Sequence, residues 1–193
     1  VQINPNFAGA HNNLGNVLHE LGEFQKAVSC YEKAIQINPN FSGTHNNLGL
    51  VFKELGKFQK AVSCYEKAVQ INPNFVDAHN NLGAVYFELG EHQRAISCYK
   101  KVIQIEPNNL TSHWLSMNTF PIIYENLKEI DRYRKRFEDG TKKINHLLDT
   151  QSQYTKKQIV DAMKSSTNFY LSYQGRNDIN LQQKYANLIE RLT

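Results

Sequence analysis

Hydrophobic and polar positions follow a helical period through the first half of this 193-residue chain. Apolar side chains recur three or four positions apart in the first segment, and they therefore line one side of a helix: Phe7, Ala10, Leu14, Val17, Leu18 and Leu21. A second series alternates small and large residues: Ala27, Tyr31 and Ala34. Gly22 separates the two series and is typical of a helix C-terminus. The pattern predicts amphipathic helices over about 7–21 and 24–37, joined by a tight turn.

The same pattern returns every 34 residues, and proline marks each return: Pro5, Pro39, Pro73 and Pro107. Because proline cannot continue a helix, each of these residues ends the helix before it. The residue after each proline is asparagine, which we expect to cap the next helix: Asn6, Asn40, Asn74 and Asn108. The spacing predicts three repeats, over 5–38, 39–72 and 73–106, which together with the opening residues make a repeat domain over 1–106. A degenerate fourth unit follows over 107–123.

One copy reads NPNFSGTHNNLGLVFKELGKFQKAVSCYEKAVQI. Its length and its Leu-Gly, Tyr, Ala and Pro positions resemble the tetratricopeptide repeat, a helix–turn–helix unit that stacks into a solenoid. The resemblance implies an all-α, right-handed α-solenoid with a C-terminal helical capping or connector region. It also implies protein binding rather than chemistry. Val1–Asn4 match Val69–Asn72 at the close of a repeat, so the sequence looks cut out of a longer solenoid.

The side of each first helix opposite the apolar side is polar in all three repeats. In repeat order it carries Asn12, Asn13 and Asn16, then Asn46, Asn47 and Lys53, then Asp77, Asn80 and Asn81. In tetratricopeptide solenoids this side lines the concave groove, so the resemblance makes these residues candidates for peptide binding. An asparagine amide offers N–H donors and an oxygen acceptor together, which complements a peptide backbone.

Asn13, Asn47 and Asn81 are the strongest candidates, and we expect them to lie in a row with side chains unpaired or bonded to water. Such a row would hold an extended polypeptide mainly through its backbone. Two alternatives remain: duplication copied the asparagines along with the rest of the repeat, or they hydrogen-bond between neighbouring repeats.

The fourth unit departs from the pattern, because Trp114, Leu115 and Met117 replace the Asn, Asn and Gly of the earlier copies. An apolar surface is expected where a solenoid is capped or meets another domain. We therefore predict exposed apolar surface in 114–124 or in the aromatic segment 169–173, covered by a further domain. Residues 124–193 are predicted to form a helical connector, with helices over 126–148, 155–166 and 179–192.

Two stretches of this region, MNTFPIIYENLKEIDRYRKRFEDG and TNFYLSYQGRNDINLQQKYANLIERL, sharpen the resemblance. They look like the connector of the SPINDLY / protein O-linked N-acetylglucosamine transferase family. In that family the connector joins the repeats to a glycosyltransferase domain, which uses UDP-GlcNAc to modify Ser or Thr of proteins. The repeats present the protein substrate through an asparagine ladder, whose rungs match Asn13, Asn47 and Asn81. This chain is too short to contain that catalytic domain, so the downstream domain is an expected partner.

The charge distribution, the apolar runs and the spacing of the histidines and cysteines exclude several classes of function. Residues 5–106 balance nine Lys or Arg with nine Asp or Glu, and the net charge of +4 comes from 107–193, where the basic residues alternate with acidic ones. Such a mixed run indicates a solvated helix face and no nucleic-acid binding. No apolar run is long enough to cross a membrane. Four histidines and the three cysteines recur every 34 residues: His11, His45, His79 and His113, and Cys30, Cys64 and Cys98. Equivalent residues of stacked helices lie about 8–10 Å apart, which is too far for a shared zinc or a disulfide. We predict packing roles for them, and unpaired cysteines agree with a cytoplasmic location.

No nucleophile, metal or phosphate-binding motif is present, so we name no catalytic residue, no metal site and no cofactor. The leading hypothesis is a protein-binding, substrate-presenting part of a protein glycosyltransferase. The alternative is an adaptor or scaffold, either alone or fused to another partner. An adaptor for chaperone tails would need Lys or Arg in the groove to hold a terminal carboxylate, and the groove offers only Lys53. An enzyme acting alone is the third and least supported hypothesis.

Overall fold

The computed structural model describes residues 7–121, 124–150 and 179–192. All regular secondary structure in these ranges is helical. The helices are α1 (Ala8–Glu20), α2 (Phe24–Ile37), α3 (Ser42–Glu54), α4 (Phe58–Ile71), α5 (Val76–Glu88), α6 (His92–Ile105), α7 (Leu110–Asn118), α8 (Leu127–Thr150) and α9 (Ile179–Leu192). The predicted all-α class is confirmed, and the predicted helices over 126–148 and 179–192 correspond to α8 and α9. The predicted helix over 155–166 lies outside the described residues.

The chain divides into two compact units, Val1–Leu89 with α1 to α5 and Gly90–Thr193 with α6 to α9. In the first unit α1 packs against α2 and α3 against α4, while α2 also packs against α3 and α4 against α5. Each second helix therefore lies between two first helices. This order places α1, α3 and α5 as successive neighbours.

A glycine and a tyrosine set the close approach within each helix pair. Tyr31 is 1% exposed, and a Cβ atom added to Gly15 would lie 2.5 Å from its ring. The same contact recurs one repeat later, where the added atom at Gly49 would lie 2.7 Å from the ring of Tyr65. Carbon atoms pack at about 3.5–4.0 Å, so only glycine fits at these two positions.

The turn between the two helices of a repeat contains a glycine with positive φ, at 75° for Gly22 and 68° for Gly56. Only glycine adopts this backbone conformation without steric cost. The prediction of a C-terminal glycine is therefore confirmed.

The predicted helix caps are wrong by position. Phe41 is the N-terminal flanking residue of α3 and makes no side-chain cap bond. The side-chain oxygen of Asn38, before the proline, instead accepts from the backbone N–H of Asn40 at 3.2 Å, and Asn72 and Asn74 repeat this contact. Asparagine favours such a local turn because its oxygen reaches the backbone two residues on. In the fourth unit the cap is Asn109 rather than Asn108, and its oxygen accepts from Ser112 N–H at 2.9 Å. Asn6 lies outside the described residues.

The apolar side of α1 is buried less than the repeat pattern predicts. Leu14 is 37% exposed and Val17 is 52% exposed, whereas Leu48 and Val51, their equivalents in α3, are 5% and 0% exposed. The packing of first on second helix is common to both repeats. The extra burial of α3 therefore comes from the helix pair that precedes it.

The second unit has an aromatic core. Trp114 and Met117 of α7 and Phe137 and Ile144 of α8 are each at most 2% exposed. The ring of Tyr185 from α9 lies 5.8 Å from that of Trp114 and 5.4 Å from that of Phe137. The prediction of exposed apolar surface in 114–124 is therefore wrong for Trp114, because α8 and α9 cover it within the unit. The other predicted segment, 169–173, lies outside the described residues.

One arginine of the predicted solvated basic run is partly buried. The guanidinium of Arg136 lies 4.3 Å from the centre of the Tyr133 ring and 5.5 Å from that of Phe120, and it donates to the backbone oxygen of Thr119. Burial lowers the pKa of Arg136 to about 10, and the guanidinium stays charged at neutral pH. This cation stabilises the aromatic packing between α8 and the residues that follow α7.

Candidate functional site

The asparagines of α1, α3 and α5 occupy different depths on the polar side of the first unit. Asn12 and Asn46 are each 8% exposed and count as buried. Asn13 is exposed, and so is Asp77. The remaining candidates are half-buried: Asn16, Asn47, Lys53, Asn80 and Asn81. The candidate site is therefore a partly buried amide surface.

Hydrogen bonds between neighbouring repeats organise this surface. The side-chain nitrogen of Asn47 donates to Asn12 Oδ1 at 3.2 Å and to Asn16 Oδ1 at 3.0 Å. One repeat later, the nitrogen of Asn81 donates to Asn46 Oδ1 at 3.0 Å. The expectation that this row is unpaired is therefore wrong for Asn47 and Asn81. Half-buried amides find partners because leaving them unpaired costs free energy, and the next first helix supplies the partners.

Two further residues of this network were missed in the sequence. Thr44 donates from its hydroxyl to Asn12 Oδ1 at 3.0 Å, and Tyr31 donates to Asn16 Oδ1 at 2.8 Å. The equivalent of Thr44 is alanine in the other two repeats. The hydroxyl of Thr44 was therefore the one sign in the sequence that this position makes a polar contact. Burial raises the pKa of Tyr31 to about 12, with smaller contributions from Cys30 and from the carboxylates of Glu20 and Glu54. The phenol therefore remains a hydrogen-bond donor at neutral pH.

The network leaves Asn13 and Asn47, two of the three asparagines proposed as rungs of a ladder, with different capacities for further hydrogen bonds. An asparagine amide has two N–H donors, and Asn47 directs its nitrogen at two acceptors. Its oxygen is 3.5 Å from the nitrogen of Asn46, which is the limit of a hydrogen bond. Asn13 receives a 3.4 Å contact from Asn12, and within the described ranges no acceptor takes its own amide hydrogens. Asn13 can therefore both donate and accept, whereas Asn47 is chiefly an acceptor.

A histidine–carboxylate hydrogen bond also connects the repeats. His19 Nε2 of α1 lies 2.8 Å from the Glu54 carboxylate of α3. The two residues are 35 positions apart in the sequence, one more than the repeat length. The same offset joins Asn47 to Asn12 and Asn81 to Asn46, so it describes the register of neighbouring first helices.

The recurring histidines have a structural role. Nε2 of His45 lies 2.9 Å from the backbone oxygen of Pro39, and His79 and His113 repeat this contact with Pro73 and Pro107. Since a carbonyl only accepts, Nε2 carries the hydrogen. The histidines thus fix the turn before each first helix.

The described part of the chain offers little else to chemistry. It holds no group of three or more His, Cys, Asp or Glu side chains arranged to bind a metal. Cys30, Cys64 and Cys98 form no disulfide with one another. Burial raises the pKa of Cys64 to about 11, so this thiol is not a thiolate nucleophile at neutral pH. Within the same described ranges, no helix combines the length and the apolar character that crossing a bilayer requires.

Models of the tetratricopeptide repeat match residues 8–41, 30–63 and 76–109, and a TPR repeat model matches residues 51–90. Together they cover 8–109 without a gap. This stretch of the chain is a tetratricopeptide-repeat array. All the candidate residues lie within this array. Its fold is that of a protein–protein interaction module.

Solved tetratricopeptide-repeat structures share this fold. A crystal structure of the MamA protein aligns with a TM-score of 0.65 and 23% identity, over 78% of this chain and 80% of that chain. The Arabidopsis OM64 TPR domain aligns with a TM-score of 0.56 and 24% identity, over 69% of this chain and 98% of that one. The first TPR of Spaghetti (RPAP3), bound to the HSP90 peptide SRMEEVD, gives 0.52 and 22%, over 72% and 97%. Among curated proteins, none matches the chain's sequence.

Proposed function

We propose that the polar side of α1, α3 and α5 binds a polypeptide in extended conformation, chiefly through its backbone. The observation that carries the proposal is the network that holds Asn47 and Asn81 in fixed positions, with Asn13 exposed at one end. Side chains that are already ordered lose little conformational entropy when a ligand binds. The inter-repeat bonds therefore support recognition by pre-organising the amides, although they also use part of the hydrogen-bonding capacity.

The spacing of the rungs fits an extended chain. Neighbouring packed helices lie about 8–10 Å apart, and three extended residues span about 10 Å. Each rung then meets every third residue of the bound segment. At the Asn47 rung the peptide is expected to supply an N–H group, because the Asn47 nitrogen is already engaged. Proline, which lacks this hydrogen, is disfavoured there.

Charge on this surface favours neutral or basic partners. Glu20, Glu54 and Glu88 recur in register at the ends of the first helices, whereas Lys53 is the lysine among the candidate residues. A terminal carboxylate or an acidic peptide would therefore meet little positive charge. The peptide SRMEEVD, bound by the related RPAP3 structure, is a suitable negative probe for this chain.

The proposal extends to the parent protein. We propose that this module presents protein segments bearing Ser or Thr to a UDP-GlcNAc-dependent glycosyltransferase domain of the SPINDLY / O-GlcNAc transferase kind, in the cytoplasm. The similarity of the 117–140 and 167–192 stretches to that family's connector supports this part. The alternative, an adaptor or scaffold, rests on the same repeats without the connector. The coding sequence beyond Thr193 distinguishes the two, because only the glycosyltransferase requires alternating strands and helices there.

A titration with backbone-modified peptides tests the binding mode. Fluorescein-labelled 20-residue peptides rich in Ser and Thr are screened by anisotropy, and the strongest binder is resynthesised with single N-methylated backbone amides. Each lost hydrogen bond should cost about 0.5–1.5 kcal/mol, which weakens binding by about two- to tenfold. Alanine in place of individual peptide side chains should have a smaller effect. If N-methylation has no effect while side-chain replacement abolishes binding, the backbone proposal is wrong.

Asn13→Ala is the matched variant of the protein. It removes an exposed amide that supports no inter-repeat bond from its nitrogen, so the fold should keep its thermal midpoint while affinity falls by about two- to tenfold. Asn47→Ala, in contrast, removes two hydrogen bonds between repeats and should destabilise the first unit by about 1–3 kcal/mol. An unchanged affinity of Asn13→Ala would remove this rung from the site. Binding of SRMEEVD as tight as that of the selected peptide would instead favour an adaptor for acidic tails.

A further inference from the structure

The polar side of the first helices changes character between the first repeat and the second. Asn16 of α1 is replaced by Leu50 in α3 and by Ala84 in α5, whereas the asparagines one turn earlier recur in all three helices. Leu50 and Ala84 are half-buried, so each keeps part of its surface accessible. In α3 and α5 an aliphatic section therefore follows the amide surface.

Asn16 is the acceptor for two donors in the first repeat. The Tyr31 hydroxyl donates to its side-chain oxygen at 2.8 Å, and the Asn47 nitrogen donates to it at 3.0 Å. Tyr65 is the equivalent of Tyr31, and Leu50 gives it no acceptor. Tyr65 is 0% exposed, and no described residue accepts from its hydroxyl. Because an unpaired buried hydroxyl destabilises the fold, internal hydrogen bonding does not explain the leucine.

The same replacement leaves one amide hydrogen of Asn81 available to a ligand. Asn47 and Asn16 are 31 residues apart, and so are Asn81 and Leu50. Asn47 directs its nitrogen at two acceptors, whereas Asn81 has a single acceptor within the described ranges, the oxygen of Asn46. An asparagine nitrogen carries two hydrogens, so the second hydrogen of Asn81 can bind a carbonyl of a peptide.

The apolar character continues into the third repeat. Phe87 of α5 lies one turn beyond Ala84, on the same side of the helix. It is half-buried and occupies the position that holds His19 in α1 and Lys53 in α3. The aliphatic section therefore runs from the second repeat into the third and does not include the first.

An amide donor beside an aliphatic surface suits one part of an extended peptide. The amide hydrogen binds the peptide's backbone, and the aliphatic surface contacts a side chain of the same segment. Backbone groups are alike in nearly all residues, so amide rungs alone do not determine which residue lies at which rung. Removal of an apolar side chain from water adds affinity for one type of residue at one place.

We propose that Leu50 is a specificity-determining residue of the peptide-binding surface. With Ala84 and Phe87 it binds one aliphatic side chain of the polypeptide, of the size of valine or leucine, and so fixes which residue lies at the Asn81 rung. This inference rests on the peptide binding proposed above. A charged side chain is disfavoured at this place, because it would lose hydration against the aliphatic surface.

A matched pair of peptides tests the subsite. The central residue of the selected Ser- and Thr-rich peptide is replaced by leucine or by asparagine, which have similar shapes and opposite polarity. By fluorescence anisotropy the leucine peptide should bind about four- to fifteenfold more tightly, the gain from burying one or two CH₂ groups. Leu50→Asn, which installs the residue of the first repeat, should reduce this ratio to about one.

Two controls separate selectivity from folding. Leu50→Asn should keep the thermal midpoint, because the new oxygen can accept from Tyr65 and Asn81 and so offsets the apolar contact that is lost. Ile35→Ala removes a half-buried aliphatic side chain from α2, outside the polar side, and should leave the leucine-to-asparagine ratio unchanged.

Photo-crosslinking measures the register directly. A benzophenone side chain is placed six residues from the leucine and should crosslink mainly to one first helix. Moving the leucine by three residues, with the benzophenone kept in place, should move the crosslink to a neighbouring first helix, because three extended residues span about one rung. In Leu50→Asn the crosslinks should spread over several helices.

The outcomes distinguish this inference from the proposed function. If the peptides bind but leucine and asparagine bind equally, or if the preference survives Leu50→Asn, the subsite is wrong and peptide binding stands. If none of the peptides binds, the proposed function is wrong and this inference with it. Sedimentation of the chain alone completes the test, since a dimer that Leu50→Asn dissociates would show that a second copy covers the section and would overturn the inference.

Discussion

Amide side chains join the neighbouring first helices of the first unit, whereas aromatic rings join the helices of the second. The contrast is sharpest at two equivalent positions. Asn46 of α3 accepts from the next repeat, while its equivalent in α7, Trp114, packs against Tyr185. Gly49 makes room for the Tyr65 ring, while its equivalent, Met117, meets a glycine of the opposite helix, since a Cβ atom added to Gly140 would lie 2.8 Å from it.

These residue differences give the helix pairs of the two units different kinds of contact surface. In the middle repeat Asn46 accepts from the next repeat, while its neighbour Asn47 donates to the previous one. Because the two asparagines recur in each repeat, the arrangement can be extended by another copy. A large ring needs complementary apolar partners on all sides, which α8 and α9 supply from within the unit. The small residue required for close packing has moved from α7 to α8. The first unit is therefore suited to repetition and the second to closure.

The strongest way to break the second unit is to empty its core. Phe137 is 0% exposed and contacts the rings of both Phe120 and Tyr185. Phe137→Ala should lower the free energy of unfolding by about 3–5 kcal/mol, from lost burial and the cavity left behind. Leu127→Ala on the same helix is the control, because Leu127 is 63% exposed, and its effect should stay within about 0.5 kcal/mol.

Guanidinium unfolding followed by two probes measures this effect. Trp114 is the chain's single tryptophan and lies in the second unit, so its emission reports that unit, while far-ultraviolet circular dichroism reports all helices. In Phe137→Ala the tryptophan transition should shift to lower denaturant more than the circular dichroism transition does. A loss below about 1 kcal/mol would contradict the aromatic-core description.

A glycine pair tests how the first unit packs. Gly49→Ala should destabilise the chain by about 1–3 kcal/mol, because its new methyl group would overlap the buried Tyr65 ring. Gly43→Ala, in the same helix, brings the methyl group no closer than 3.5 Å to Phe41 and should stabilise by up to about 1 kcal/mol, as alanine favours helices. Thermal unfolding of both variants gives the sign directly. Equal effects would show that the tyrosine does not set the helix spacing.

The helices and turns were predictable because their causes are local. Repeating prolines, positive-φ glycines such as Gly22 and the 3.6-residue apolar period act within one repeat. The helix caps were misplaced because an asparagine on either side of each proline can hydrogen-bond to the backbone of the turn. In the structure the accepting side-chain oxygen belongs to Asn38 and not to Asn40. The pairing of the asparagines depends on the distance between neighbouring first helices, which one repeat does not contain. Asn47 was thus correctly placed on the polar side and wrongly expected to be unpaired.

The burial of Trp114 was also beyond a local pattern. Its covering side chain, Tyr185, comes from a helix 71 residues later, and the sequence of α7 alone indicates only that something apolar must cover it. The helix α9 was itself predicted. The sequence did not predict that α9 would bury the apolar face of α7. In the described residues Trp114 is therefore already covered without a further domain.

Two tyrosines provide the finest comparison, because they differ in one hydrogen bond. Tyr31 donates to Asn16 at 2.8 Å, whereas Leu50 occupies the equivalent of Asn16 beside Tyr65, and no described residue accepts from the buried Tyr65 hydroxyl. Tyr31→Phe should therefore cost about 0.5–1.5 kcal/mol, while Tyr65→Phe should stabilise by about 1 kcal/mol by removing an unpaired buried group. Urea unfolding at neutral pH measures both effects. A loss of stability in both variants would show that the Tyr65 hydroxyl has a partner.

The loss of stability at alkaline pH distinguishes the effect of the Asn16 hydrogen bond on the pKa of Tyr31 from the effect of burial. The folded pKa of Tyr31 is about 12, above its ordinary value of 10.0, so its proton stabilises the folded state. This contribution is fully present below about pH 10 and is lost as the pH rises towards 12. Burial raises the pKa of Tyr65 as well, and its stabilising proton is lost in the same direction. Each Tyr→Phe variant should therefore lose less stability than the unmodified chain between pH 9 and 12, even though the two have opposite effects at neutral pH. If only Tyr31→Phe flattens the alkaline decline, the shift at Tyr31 comes from the Asn16 bond and not from burial.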